Sequence, residues 1–279
     1  IICLGIRLSF EEFIKFGSIA IPLIIVCILA VLILIKLLIK KVPISSKMSY
    51  LIAIGTSVCG ATAIVATAPV INAKKTEIAY AIANITLFGV IAMIVYPYFA
   101  EWFFNENELK AGLFLGTAIH ETSQVAAAGL IYDQQFNSPE TLNVATVTKL
   151  IRNTFLVIMI PLFAFLYNRG EMKGNSYSLL DIFPYFVLGF IGMIIIRNLG
   201  DQIFSIESEN HIYWINFIEI IKILATTFLT MAMAAVGISI NLSELRLMGY
   251  KPFVVGLIAA VTVGFISLIY IQTVSKFFT

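Results

Sequence analysis

Five stretches of this chain carry no charged residue: 16–35, 48–73, 78–100, 223–243 and 252–275. Each meets or nearly meets the roughly 20 apolar residues that a helix needs to cross a bilayer core. Hydrocarbon offers no partner for main-chain N–H and C=O groups, so such segments must satisfy those bonds internally, as helices do. With 60% hydrophobic and 12% charged residues and a mean hydropathy of +0.98, the chain lies far from the composition of soluble domains. The expected fold class is an all-α polytopic membrane protein, a single transmembrane domain over residues 1–279 with no soluble domain.

Three further apolar segments, about 111–132, 142–168 and 182–198, contain His120, Glu121, Lys149, Arg152 and Arg197. Counting them brings the expectation to about eight or nine transmembrane helices. Ile1 to Phe10 reads as the end of one more helix, and a start at Ile rather than Met points to lost N-terminal residues, not a signal peptide. Lys36, Lys40, Lys41 and Lys47 follow the first full span, which places that loop in the cytoplasm. If every later segment crosses once, the loops with Lys110, Arg169, Lys173, Arg246 and Lys251 also fall inside, and the C-terminus outside. Cys3, Cys27 and Cys59 lack any paired spacing and suggest small apolar packing rather than disulfides or zinc.

Two internal similarities are visible, a sign of the repeats from which many transporters are built. Gly5–Gly17 aligns without gaps on Gly237–Gly249, with Glu12 on Glu244. Residues 55–66 align on residues 116–127. The two offsets differ, so one duplication cannot produce both; the first is favoured because it includes charged and helix-ending positions. The second implies that 116–128 is an irregular helix like 55–66.

The stretch Gly55-Thr-Ser-Val-Cys-Gly-Ala-Thr62 is apolar enough for lipid, yet it combines glycines and hydroxyls and is soon followed by Pro69. It reads as a broken helix whose freed amides meet a solute, with Gly55, Thr56, Ser57, Cys59, Gly60 and Thr62 as binding residues. Close helix packing by small residues is the alternative. Thr117, His120, Glu121 and Gln124 share one helical face, which suits a cavity. An intramembrane ionisable residue is costly, so His120, Glu121 and Gln124 are assigned to ion coupling, with a purely structural network, in which Glu121 pairs with Lys149 or Arg152, as the competing reading. Gln124 stands where a metalloprotease motif requires a second His, so no metal site is expected. Lys149 and Arg152 supply positive potential for an anion, unless they snorkel to the interface. Thr226, Thr227 and Thr230 form a second small polar stripe, read as either solute contact or tight packing; Thr227 and Thr230 are taken as contacts. Glu207, Glu209 and His211 are assigned no role.

The motifs Gly55-Thr-Ser-Val-Cys-Gly-Ala-Thr-Ala, Ala83-Asn-Ile-Thr-Leu-Phe-Gly89, Ala118-Ile-His-Glu-Thr-Ser-Gln-Val125, Thr148-Lys-Leu-Ile-Arg152 and Met231-Ala-Met-Ala-Ala-Val-Gly237 occur in order along the chain. In these the chain resembles, almost end to end, the YeiH-like sulfate-exporter family of bacterial inner-membrane proteins. Where many members carry Asp after the motif His, this chain has Glu121, which keeps the carboxylate and lengthens its reach. The resemblance implies a fold related to cation/proton antiporters and bile-acid symporters, with inverted repeats and discontinuous helices crossing at the centre. It also implies that about two family helices precede Ile1.

The expected function is a secondary transporter that moves a small anion, sulfate or an organic sulfonate, across the bacterial inner membrane by alternating access. No nucleotide-binding loop is present to drive it, so H⁺ or Na⁺ is the coupling ion, with no other cofactor and no nucleic-acid partner. A homo-oligomer remains open. Cation/proton exchange at Glu121 is the runner-up; an intramembrane enzyme or a membrane sensor ranks below it, and enzyme activity is not expected.

Overall fold

A computed structural model describes residues 2–7, 10–105, 107–138, 140–171, 186–204, 210–238 and 249–274. Among these, every regular element is helical. A short 3-10 helix, Ile2–Arg7, precedes α1 (Phe10–Ile39), α2 (Ser46–Ser57), α3 (Ala61–Thr67), α4 (Lys75–Phe104), α5 (Glu108–Ala118) and α6 (Thr122–Phe136). There follow α7 (Glu140–Thr154), α8 (Leu156–Glu171), α9 (Phe186–Ile203), α10 (His211–Ile238) and α11 (Lys251–Val274). Residues 16–39, 75–104, 140–163 and 251–274 are long and apolar enough to cross a membrane, the third being α7 running into α8. Outward-facing Leu29, Ile33, Leu37, Leu87, Ile91, Ile94 and Phe265 fit a lipid environment.

Segment 48–73 breaks as its sequence suggests, but it does not cross. At 1.5 Å per residue the twelve residues of α2 extend about 18 Å, roughly half a bilayer core. Were α3 to continue in the same direction, Asn72 would lie far from the start of α2. Instead Lys47 Nζ donates to the Asn72 carbonyl at 2.6 Å, and Ser45 Oγ donates to the Glu77 carboxylate. The chain therefore enters, turns at Val58–Gly60 and returns to the face it left.

Segment 111–132 does the same from the opposite face. Asn107 caps α5 by accepting from the Lys110 amide, and α6 ends on left-handed Asn137. Tyr132 Oη, near the end of α6, donates to Glu101 at 2.7 Å, and Thr141 Oγ1 reaches the Glu108 carbonyl where α5 begins. The expectation that both segments span is thus corrected: each forms a helical hairpin, and an apolar window alone does not distinguish a hairpin from a crossing. The two breaks, Val58–Gly60 and Ile119–Glu121, occupy aligned positions of the 55–66 and 116–127 similarity. The favoured similarity, Gly5–Gly17 with Gly237–Gly249, has most of its second copy outside the described residues.

Both hairpins pack on long helices. Gly116 lets α5 close on α7: a Cβ there would lie 2.6 Å from the Ala145 carbonyl. The α2–α3 hairpin rests on α4 and α11, while α9 and α10 pack with the 3-10 helix. The window 223–243 falls in α10 and extends beyond the described residues, as do parts of 182–198.

The hairpin topology has a direct check. In a background with Cys3, Cys27 and Cys59 replaced by serine, single cysteines at Ser46 and Asn72 should react with a membrane-impermeant maleimide from the same face. Labelling from opposite faces would restore the crossing.

Candidate functional site at the meeting of two hairpin tips

A helix leaves its last carbonyls without partners and carries partial negative charge at that end. Two such ends, of α2 and α5, meet inside this protein, away from water. They are satisfied by two fully buried cations on α7, Lys149 and Arg152, each 0% exposed. Lys149 Nζ donates to the carbonyls of Val58 and Ile119, both at 3.0 Å, and to that of His120. Arg152 donates from Nε to Ser57 at 2.9 Å, from Nη1 to Thr117 at 2.6 Å and Ile119 at 3.3 Å, and from Nη2 to Thr56. All three Lys149 protons thus face main-chain oxygens. Instead of pairing with Glu121, as the sequence suggested, the two cations clip one hairpin tip to the other.

The first tip turns on Gly60, whose φ of 72° and ψ of −129° suit a residue without Cβ. The second turns through extended backbone, with Ile119 at φ −90° and Glu121 at φ −106°, which any residue adopts. This is why the first break announces itself by glycine and the second does not.

The tips touch at Gly60 and Glu121: a Cβ on Gly60 would stand 2.7 Å from Glu121 Cγ and 3.3 Å from the His120 carbonyl. The Glu121 carboxylate accepts from Thr86 Oγ1 at 3.2 Å and faces the Ala61 amide at the start of α3. Gln124 Nε2 donates to the Thr86 carbonyl at 3.2 Å, and its side chain lies against Gly89. Asn153 Nδ2 donates to Thr122 Oγ1 at 3.2 Å. Thr86 and Gly89 of α4 therefore belong to this cluster although the sequence reading gave them no role; a Thr and a Gly one turn apart in a charge-free span were the available signal.

Several buried polar atoms here have no hydrogen-bond partner among the described residues: Thr56 Oγ1, Ser57 Oγ, Thr148 Oγ1, His120 Nδ1 and Gln124 Oε1. Unpaired buried groups cost about 1–3 kcal/mol each, so their concentration at one place is a feature of the site. Gly55, Cys59 and Thr62 line the same tip, Cys59 as a free buried thiol. Thr227 is exposed on α10 and donates to its own helix at Ile223, apart from the tips, and the side chain of Thr230 lies outside the described residues.

A family model described as conserved hypothetical protein 698 matches residues 1–256. Among relatives, a UPF0324 membrane protein of Fusobacterium nucleatum is 37% identical over 273 residues, covering 96% of this chain and 78% of the relative. One of Streptococcus agalactiae is 34% identical over 260 residues, covering 92% and 73%. One of Clostridium tetani is 30% identical over 290 residues, covering 99% and 79%. No solved structure matches. By this extent and identity, the chain belongs to the UPF0324 membrane proteins, the family of conserved hypothetical protein 698.

Proposed function

We propose that this protein is a secondary transporter that carries a small anion, sulfate- or sulfonate-like, across the bacterial inner membrane by alternating access, coupled to H⁺ or Na⁺. The observation that carries the reading is the meeting of two hairpins that enter from opposite faces. Broken backbone deep in a membrane protein is tolerated only where protein or a water-filled cavity surrounds it, and transporters use such breaks to hold solutes. The aligned positions of the two breaks support an inverted repeat, which would make the two faces of the site equivalent in construction.

Charge favours an anion. Lys149 and Arg152 outweigh the Glu121 carboxylate, and each helix C-terminus at the tips is matched by an N-terminus, leaving a surplus of about one positive charge. The cations act through the backbone they hold rather than by direct contact, and Thr56, Ser57, Thr62 and the tip amides contact the cargo. Glu121 couples the ion: uncharged, it leaves the tips more positive and the anion better held. The cation/proton exchange reading is kept because Glu121 pairs with neither buried cation and so has a carboxylate to offer.

The test is flux in proteoliposomes over a panel of sulfate, sulfonates and carboxylates, with imposed H⁺ or Na⁺ gradients. Glu121→Gln should leave folding intact, abolish the gradient dependence and reduce gradient-driven accumulation more than tenfold. Gradient dependence that survives Glu121→Gln would remove the coupling role. Proton movement driven by Na⁺ or Li⁺ with no anion flux would replace the anion reading by cation exchange.

A further inference from the structure

The return of both hairpins redistributes the surface charge. Lys40 and Lys41 follow α1, Lys47 opens α2, Lys74 and Lys75 stand at the start of α4, and Lys251 opens α11. These helix ends share one face: α1 packs on α2, α2 on α4, and α11 on both α2 and α4. The Ser45–Glu77 and Lys47–Asn72 bonds close the ring, and Tyr80 Oη donates to the Gly249 carbonyl at 2.8 Å. Five of these six lysines are exposed, while Lys47 is partly buried. Among the described residues, the carboxylate bonded within this ring, that of Glu77, is buried and occupied by Ser45 and the Lys74 amide.

At the opposite face, where the α5–α6 hairpin opens, Glu101, Glu108, Asp133 and Glu140 mark the helix ends. Lys110 is the one base in the joining segments 101–110 and 133–141. The lysines alone follow from the positive-inside bias, which makes theirs the cytoplasmic face. The segregation of acids does not, because Asp and Glu contribute little to orientation.

We infer that the lysine ring at the mouth of the α2–α3 hairpin is an anion-collecting vestibule, an entry site for the cargo distinct from the hairpin tips. This rests on the anion reading above. A surface patch rich in one sign raises the local concentration of the opposite charge and speeds its arrival, most at low ionic strength. The lysines stand about 18 Å from the tips along α2, too far to touch an anion held there. They therefore act on capture rather than on the bound anion: KM changes and kcat does not.

The experiment compares wild type with the quadruple variant Lys40→Gln, Lys41→Gln, Lys74→Gln, Lys75→Gln, using sulfate flux in vesicles of pure phosphatidylcholine. The expected result is a KM about 5-fold higher at 20 mM ionic strength, converging on wild type at 0.5 M, with kcat unchanged. The matching quadruple arginine variant keeps the wild-type KM. Wild type that carries no anion on the panel overturns the transport reading itself. Wild type that carries sulfate while the glutamine variant has the same KM overturns this inference alone. A KM effect that appears only when anionic lipid is added assigns the lysines to headgroup binding and also overturns it.

Discussion

Arg152→Met is expected to destabilise the folded protein by about 3–5 kcal/mol, because removing a buried charged partner leaves the groups it served desolvated and unpaired. Those groups are the carbonyls of Thr56, Ser57 and Thr117, which have no water to turn to, with Ile119 retaining Lys149. The buried thiols report the loss: Cys27 and Cys59 react with a thiol-sensitive dye only when the protein opens. For a chain of this size the melting transition in detergent should fall by roughly 6–20 °C, and the proposed transport should be lost with it. Arg152→Lys keeps the charge but has no planar fork to reach four carbonyls on two hairpins, so its transition should fall between the two. Lys149→Met should also be severe. Because both cations serve Ile119, the double substitution should cost less than the two single costs added together. An Arg152→Met protein that melts with wild type would show that the clip does not hold the tips.

The clip also marks the boundary of what the sequence could tell. The break at Gly55–Gly60 was legible because glycine and hydroxyls are poor choices for a lipid-facing helix, and the crowding of Lys149 and Arg152 on one face was legible from spacing alone. Their partners were not. Main-chain oxygens carry no residue signature, so the sequence offered an anion or Glu121 as their counter-charge, whereas the structure supplies carbonyls of two helix ends. The return of the hairpins was hidden for a related reason. A window such as 48–73 satisfies the length rule for a span, and the contacts that fold it back, Lys47 to Asn72 and Ser45 to Glu77, join residues distant in sequence. The 55–66 and 116–127 similarity, ranked second from its residues because it lacks helix-ending positions, coincides with the breaks. Small residues there reflect the shared geometry of two tips. At Thr227 the sequence leaves two outcomes that look alike, because a hydroxyl in a membrane helix can also be satisfied by its own backbone, as its bond to Ile223 shows.

Gly60→Ala should be among the most damaging single-methyl additions at the described glycines, costing about 2–6 kcal/mol and most of the proposed transport activity. Two separable causes contribute. At φ 72° and ψ −129° a Cβ meets its own backbone, a strain of about 1–3 kcal/mol. The same Cβ would stand 2.7 Å from Glu121 Cγ, and crowding of this kind costs roughly 1–3 kcal/mol in a packed interior. Glu121 has little room to yield, since its carboxylate is held by Thr86 Oγ1 and its backbone lies beside the clipped Ile119–His120 carbonyls. A cycle with Glu121→Ala separates the causes: removing Cγ should restore the crowding share of stability and leave the backbone share, while coupling stays absent. Gly192→Ala, on α9 with nothing within 4 Å of the added methyl, provides the neutral comparison, expected within about 0.5 kcal/mol of wild type. If Gly60→Ala and Gly192→Ala melt together and transport alike, the two tips do not meet at Gly60, and Glu121 loses the contact through which a change in its charge would reach the first hairpin.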